Sequence, residues 1–255
     1  MSRKAEALDE LMGIMNVLLA PGGCPWDREQ THESLVRYLI EETYEVIEAI
    51  NEGEMHKLCE ELGDLLLQVV FHAALAEQAG QFDFADLART VSKKMVDRHP
   101  HVFGSMNLQT SEDVLEIWED FKRKEGKNSL LEGIPRGLPA LMRAEKIQEK
   151  VSRVGFDWPS IQGALDKLKE ELDELGEAQT DEEIVEEMGD VLFALVNVAR
   201  FKKVEPEQAL QQANDKVTRR FNYIEQKVKE SGRTFSELSL AEMDQIWDEA
   251  KAIGL

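Results

Sequence analysis

The sequence predicts an all-α protein in which two tandem helical repeats pack as helical bundles. Apolar residues recur at helical rather than alternating spacing in nearly every segment, and the helix-favouring residues Glu, Lys, Leu, Ala and Gln are abundant. We find no convincing strand or hairpin signal between these segments. In addition, several short phrases occur twice in the same order along the chain, which indicates that one helical unit was duplicated.

The helical periodicity predicts the order of the elements. From the N-terminus, helices are expected over residues 4–19, 30–52, 55–79, 83–98, 110–125, 139–153, 160–178, 181–202, 206–231 and 239–252. Residues 126–140 read GKNSLLEGIPRGLPA, and their glycines and prolines favour a linker. We therefore predict an N-terminal repeat over 1–125, a linker over 126–140 and a C-terminal repeat over 141–255.

The duplication is visible as four pairs of matched phrases on either side of this linker. Four matches in the same order are hard to obtain by chance, so the two halves descend from one ancestral unit. The pairs are EETYE (41–45) with EELDE (170–174), EELGDLL (60–66) with EEMGDVL (186–192), KMVDR (94–98) with KVTRR (216–220), and IWEDFK (117–122) with IWDEAK (246–251).

Composition and charge exclude several classes of function. The net charge of −21 disfavours a nucleic-acid or anionic-membrane partner, because a polyanion would be repelled. The longest nearly apolar runs, 65–76 and 191–199, are well short of the roughly 18 residues that a membrane span needs. The N-terminus lacks the apolar segment of a signal peptide, and Cys24 and Cys59 show no zinc-binding spacing. We expect a soluble, cytoplasmic protein with reduced thiols.

Two acidic pairs in the C-terminal repeat have the spacing of one helix turn. Glu171 and Glu174 lie three positions apart on one predicted helix, and Glu187 and Asp190 do so on the next. The short connection between these helices makes them antiparallel neighbours, so the two pairs can meet. Converging carboxylates repel one another unless a cation lies between them, and a ligand set made only of oxygen atoms suits Mg²⁺ or Mn²⁺.

A solvent-exposed helix face is the alternative interpretation of such acidic spacing. We favour a metal site because the helix that carries Asp190 continues as VLFALV (191–196) and is expected to be buried on most of its surface. Gly63 and Gly189 lie between the acids of each copy, where a ligand or another backbone can approach closely. Simple packing glycines are the alternative for these two positions.

Basic residues and one tryptophan accompany the acidic phrases. Lys216 and Arg220 share a helix face, and Lys167 precedes Glu171 by four positions on the same face. Such cations often only pair with surface acids, but beside a metal-binding cluster they describe a site for a nucleotide polyphosphate. No Walker A, GxGxxG or HExxH motif is present. The candidate nucleotide contacts are Lys167, Lys216, Arg219, Arg220, Trp247 and Lys251.

These residues resemble those of the MazG family, nucleoside triphosphate pyrophosphohydrolases of the all-α NTP pyrophosphatase superfamily. The resemblance rests on EExxE followed by ExxD inside tandem helical repeats, and it covers essentially the whole chain. It implies two tandem MazG-like repeats in a cytosolic homodimer that uses Mg²⁺ to hydrolyse NTPs and dNTPs to the monophosphate and pyrophosphate. Further matching stretches are GGCPWDREQTHESL (22–35), HPHVF (99–103), RVGFDW (153–158) and RRF (219–221).

The resemblance also implies roles for individual residues. In the C-terminal repeat, the resemblance implies that four acids are the catalytic metal ligands. It also implies that the six candidate contacts named above bind the nucleotide. Those four acids are Glu171, Glu174, Glu187 and Asp190. The matching positions of the N-terminal repeat are the acids Glu42, Glu45, Glu61 and Asp64 and the cations Lys94 and Arg98.

The two copies differ at substrate positions. Tyr38 and Phe71 stand in the N-terminal repeat where the C-terminal repeat has Lys167 and Asn197. We therefore expect the C-terminal repeat to be the catalytic one. Whether the N-terminal acids are active, metal-binding only or structural stays open, as do the base preference and the identity of the general base.

The expected mechanism is metal-assisted attack of water on the α-phosphorus with pyrophosphate leaving. Lys216 and Arg220 would neutralise charge on the transferred and leaving groups. Two other classes of function are considered. A carboxylate-bridged redox-metal bundle needs paired ExxH motifs, whereas only Glu29 and His32 have that spacing. A non-catalytic helical scaffold would show no dependence on a divalent metal.

Overall fold

The computed structural model describes residues 2–106, 110, 114 and 129–255. The chain divides into two compact units, Met1–Glu125 and Gly126–Leu255. Throughout the described ranges the regular elements are helical and no strand occurs, so the predicted all-α class is confirmed. No helix in this part of the chain is long and apolar enough to cross a membrane.

The first unit is built around a long helical hairpin. Its first arm begins at a capping box formed by Thr31 and Ser34, and it ends at Gly53, which has a positive φ of 72°. The left-handed conformation of Gly53 reverses the chain into the second arm. The helices are α1 (Arg3–Leu19), α2 (Pro25–Arg28), α3 (His32–Glu52), α4 (Met55–Gln78), α5 (Phe84–Arg98) and α6 (Pro100–Phe103).

The second unit repeats the hairpin and adds longer helices after it. Thr180 and Glu183 form the capping box that starts the second arm, and the acidic first turn of that arm complements the helix dipole. The helices are α7 (Ala140–Ser152), α8 (Ile161–Glu177), α9 (Asp181–Phe201), α10 (Pro206–Glu230) and α11 (Leu240–Ala252), with a short 3₁₀ turn at Phe235–Glu237.

The predicted helices agree with the observed ones within two residues at each end wherever the structure describes them. The helix expected over 110–125 lies outside the described residues, apart from Thr110 and Val114. The periodicity missed α2 and α6, because a helix of four residues is too short to show a period. Both short helices start at a proline, which is favoured at the first helical position.

Packing within each unit centres on its hairpin. Helix α3 packs on α4, with α1 and α5 against α4, and the first core includes Met15, Leu35, Val70 and Phe71. In the second unit α8 packs on α9, α7 packs on both α9 and α10, and α11 packs on α10. The duplicated acidic phrases therefore lie on equivalent hairpins, α3–α4 and α8–α9.

The expectation that α9 is buried on most of its surface is wrong for the single chain. Ala194 and Val196 are buried, but Leu192, Phe193 and Leu195 are 41–49% exposed. The physical reason is that α7, α8 and α10 cover only part of the circumference of α9. An apolar pattern of this kind marks a surface that is costly to leave in water, and it does not say which molecule covers that surface.

A carboxylate cluster with an adjacent lysine on the second hairpin

The four acids predicted in the second unit lie on the facing arms of its hairpin. Glu171 and Glu174 are on α8, and Glu187 and Asp190 are on α9. Carboxylate oxygens of Glu171, Glu187 and Asp190 all lie within 4.8 Å of one another. The connection between the arms is only residues 178–180, so the chain reverses at once and brings the two acidic turns together.

Glu174 joins this cluster through Glu171. Burial raises the pKa of Glu174, and its hydrogen bond with Glu171 and the negative charge there raise that pKa further. Burial also raises the pKa of Glu187, and the charges of Glu171 and Asp190 act in the same direction. The cluster therefore holds more negative charge than its surroundings neutralise, which is the situation that a bound cation relieves.

Lys167 supplies the one neutralising contact within this cluster that the described residues show. Its Nζ lies 2.7 Å from Oε1 of Glu171 and also pairs with Glu170. Hydrogen bonds to Glu170 and Glu171 raise the pKa of the Lys167 ammonium, so it stays charged. Glu171 is only 6% exposed, and a carboxylate buried to that degree requires such a partner.

The donor set fits a hard divalent cation. The converging ligand atoms are carboxylate oxygens, with no histidine or cysteine among them, as Mg²⁺ and Mn²⁺ prefer. Gly189 lies between Glu187 and Asp190, and a Cβ added there would meet no atom of the described chain within 4 Å. The glycine is therefore not required by packing within this chain, and it leaves space beside the acids.

The remaining predicted contacts lie on α10 and α11. The guanidinium carbon of Arg220 is 5.3 Å from the centroid of the Trp247 ring, and its Nε donates to the carbonyl of Leu255 at 2.7 Å. Lys251 pairs with Asp248 at 2.8 Å. Lys216 and Arg219 are exposed and make no polar contact with any described residue.

The structure thus forms two separate groups from the predicted site residues. The acids and Lys167 form one group, and Arg220 with Trp247 forms the other. Within the parts of the second unit that the structure describes, no hydrogen bond, ion pair or ring contact joins the two groups. Nor does a histidine enter either carboxylate cluster of the described chain, so the redox-metal bundle has no support there.

Comparison with known proteins places these features in a family. The model of the MazG nucleotide pyrophosphohydrolase domain matches residues 30–103 and 160–224. The chain belongs to the MazG family. Both matched ranges contain one hairpin and its acidic cluster, so each unit carries a MazG domain segment.

Relatives in this family match nearly the full chain. The nucleoside triphosphate pyrophosphohydrolase/pyrophosphatase MazG of Thermotoga maritima is 46% identical over 95% of this chain and 95% of its own length. The nucleoside triphosphate pyrophosphohydrolase of Escherichia coli K12 is 44% identical over 96% and 97%. The uncharacterized protein YabN of Bacillus subtilis is 49% identical over 93% of this chain and 50% of its own length.

The first MazG segment keeps the carboxylate cluster. Oxygens of Glu42, Glu45 and Glu61 lie within 4.8 Å of one another, and burial followed by the charges of Glu45 and Asp64 raises the pKa of Glu42. Lys57, on the same helix as Glu61, is ion-paired with two other acids, Glu48 and Glu52.

The surroundings of this first cluster differ from those of the second. Tyr38 is at the position of Lys167, and its ring stacks beneath the guanidinium of Arg37. The same ring meets the Trp26 ring edge-on, with 5.7 Å between the ring centroids. Phe71, at the position of Asn197, is 3% exposed and belongs to the apolar core. The first MazG segment therefore has aromatic side chains where the second has a cation and an amide.

Sequence reasoning missed two polar contacts in the MazG fold. In the first unit, Nδ1 of His32 and Nδ1 of His72 are 2.7 Å apart and their rings are stacked. In the second unit, Arg200 binds Asp157 with two hydrogen bonds. Asp157 lies within the RVGFDW stretch that carries part of the family resemblance, but Arg200 is 43 positions away and no local spacing connects them.

Proposed function

We propose that this chain is a nucleoside triphosphate pyrophosphohydrolase whose working site is the acidic cluster on α8 and α9. The observation that carries the proposal is the convergence of Glu171, Glu187 and Asp190 within 4.8 Å beside Lys167. Two relatives that match nearly the full chain are named nucleoside triphosphate pyrophosphohydrolases, which supports the reaction class. The products are the nucleoside monophosphate and pyrophosphate.

The four acids have the role of ligands for Mg²⁺, with Mn²⁺ as a substitute. A cation held there would act as a Lewis acid on the phosphate and would make an attacking water more acidic. The four carboxylates would hold the cation, and one of them would accept the proton of the attacking water. Without the cation, burial and neighbouring negative charge raise the pKa values of Glu174 and Glu187, and a bound cation would favour their ionised forms.

Cations from two helices bind the anionic substrate. A chain with a net charge of −21 repels a triphosphate at long range, so it needs local positive charge where the phosphates bind. Lys167 lies at the cluster itself, and exposed Lys216 and Arg219 are free to move towards a ligand. Arg220 and Trp247 together offer a guanidinium for phosphate and an aromatic face for a base.

The substrate range is proposed to be broad across NTPs and dNTPs. An indole face stacks on any base, because every base has an aromatic surface. Lys251 lies one turn after Trp247, where it pairs with Asp248, and it is proposed as a further contact for the nucleotide. The free thiols of Cys24 and Cys59 fit a reducing cytoplasm, which is where we propose that the enzyme acts.

A homodimer is also proposed, from the uncovered apolar side of the second hairpin. Val185 is 74% exposed, Leu192 is 45% exposed and Leu195 is 49% exposed, which is costly for side chains of this type on one face. Light scattering at micromolar concentration should give about twice the 29.0 kDa chain mass. A monomer mass would contradict this part of the proposal.

Product analysis tests the reaction itself. The purified chain is incubated with each common NTP and dNTP in the presence of Mg²⁺, and the products are separated chromatographically. The proposal expects a monophosphate and pyrophosphate from several bases, and no turnover when the metal is chelated. A diphosphate with inorganic phosphate, or turnover that survives chelation, would reject it.

A further inference from the structure

Arg200, at the end of α9, uses its whole guanidinium to join two side chains. Its Nη1 donates to Oδ2 of Asp157 at 2.9 Å, and its Nη2 pairs with Oδ1 of the same carboxylate. Its Nε and Nη2 also donate to Oδ1 of Asn197 at 3.1 and 2.8 Å. The side chains of Arg200 and Asp157 are only 17% and 24% exposed, so water weakens this contact less than it weakens a surface pair.

This contact determines which way the amide of Asn197 points. A guanidinium only donates hydrogen bonds, so the amide oxygen must face Arg200 and the amide nitrogen must face away. The oxygen accepts both hydrogen bonds from Arg200. No residue in the described chain accepts a hydrogen bond from the N–H₂ group of Asn197, which is therefore available as a pair of oriented donors.

Asn197 shares its helix face with the metal-binding acids. Positions 187, 190, 194 and 197 recur at spacings of three and four, so they form one stripe along α9. Seven positions separate Asp190 from Asn197, which is about 10 Å along a helix axis. That distance is within the length of a nucleotide whose phosphates lie at the acids. The N–H₂ group is therefore placed to contact the part of the nucleotide that lies beyond its phosphates.

The other partner, Asp157, fixes the loop that leads into α8. Its Oδ1 accepts the backbone N–H of Trp158 at 2.8 Å. The Trp158 ring covers Gly163, where an added Cβ would come within 2.8 Å of the ring atoms. Lys167 and Glu171 follow on the same helix. Arg200 therefore connects the end of α9 with the start of the helix that carries half of the acidic cluster.

The first unit lacks this arrangement. Its counterparts of Asn197 and Arg200 are Phe71 and Ala74, which are 3% and 7% exposed and belong to the apolar core. The same unit has Tyr38 where the second unit has Lys167. The polar contact is thus present only in the unit whose cluster has the adjacent cation.

We propose that Arg200, anchored by Asp157, is a positioning residue that orients the Asn197 amide so that its N–H₂ group binds the nucleotide. Arg200 itself touches no substrate and acts through Asn197. The inference rests on the proposed function, because it assumes that the nucleotide lies along the acid-bearing face of α9.

A double-mutant cycle on kinetic constants tests this role. The variants are Arg200→Gln, Asn197→Ala and both together, assayed for pyrophosphate release with saturating Mg²⁺ over a range of NTP concentration. We expect each single variant to raise KM by up to about tenfold, the usual effect of losing one hydrogen bond, with kcat nearly unchanged. The double variant should be no worse than Asn197→Ala alone.

Controls separate this role from simple structural support. Arg233→Gln removes another arginine of the same unit, which pairs with Glu242 at 2.8 Å and bonds the Glu237 carbonyl, and its KM should equal that of the parent. Arg200→Lys should not restore KM, because an ammonium lacks the planar fork that reaches two acceptors. If Arg200→Gln does not fold, Asp157→Asn replaces it in the cycle.

The outcomes are distinct. The role of Arg200 would be overturned if the fold-changes in KM caused by Arg200→Gln and Asn197→Ala multiply in the double variant. It would also be overturned if neither variant changes KM. A parent chain that releases no pyrophosphate from any NTP would instead overturn the proposed function. Pyrophosphate release by the parent chain, together with non-additive effects of the two variants on KM, supports both the role of Arg200 and the proposed function.

Discussion

Removing one carboxylate from the second cluster should abolish most of the stabilisation that a divalent metal gives to that unit. Glu187 is one of three acids whose oxygens lie within 4.8 Å, and the unfolded chain has no such cluster. A ligand that binds only the folded state at 100 times its dissociation constant stabilises it by about 2.7 kcal/mol. For a unit of this size, 1 kcal/mol corresponds to about 4 °C in Tm, so the shift should be about 10 °C.

The variant is Glu187→Gln, which keeps the size of the side chain and removes its charge. Differential scanning calorimetry with and without Mg²⁺ or Mn²⁺ measures the shift, and Glu61→Gln in the first cluster is the matched control. In the absence of metal, Glu187→Gln should be at least as stable as the parent, because the charges of Glu171 and Asp190 disfavour the Glu187 carboxylate. A metal-induced shift that survives in Glu187→Gln and disappears in Glu61→Gln would place the stabilising metal in the other unit.

Three further predictions concern the same cluster. Lys167→Met should lower kcat/KM by about 10- to 150-fold, which is the effect of losing one charge-assisted contact. The rise in Tm caused by the metal should persist in this variant. Loss of that rise would show that Lys167 only supports the acids. In the folded state the pKa values of Glu174 and Glu187 are raised above 4.5. The stability that these two groups contribute is therefore fully present below pH 4.5, and it is lost as the pH rises through their folded-state pKa values. When the pH is lowered from 7 to 4.5, the metal-free parent should therefore show a larger rise in Tm than Glu187→Gln, and equal rises would contradict the raised pKa values. Hydrolysis in ¹⁸O-water should label the monophosphate, whereas label in pyrophosphate would exclude attack on the α-phosphorus.

The sequence predicted the hairpins and the acids because both depend on local spacing. Helical periodicity and the capping residues Thr31 and Thr180 determine where the hairpin arms lie, and a connection of a few residues then brings Glu171 and Glu187 together. Lys167 was found for the same reason, since it precedes Glu171 by one helix turn.

Contacts between distant positions were not predictable in this way. Arg200 and Asp157 are 43 positions apart, and His32 and His72 are 40 apart, so no periodicity connects them. The exposure of Leu192 was missed for another reason. An apolar helix face indicates burial, but the pattern does not distinguish burial by a neighbouring helix from burial by a second copy of the chain.

The cluster on α8 and α9 is the proposed working site. The most direct test of that proposal compares kcat/KM for pyrophosphate release in Asp190→Asn and in the matched variant Asp64→Asn, with melting curves for both to exclude unfolding. Asp190→Asn should lose most of the activity, because it removes a carboxylate from the cluster that has Lys167 beside it. Asp64→Asn should keep most of it. An inactive Asp64→Asn enzyme together with an active Asp190→Asn enzyme would place the working site in the first unit instead.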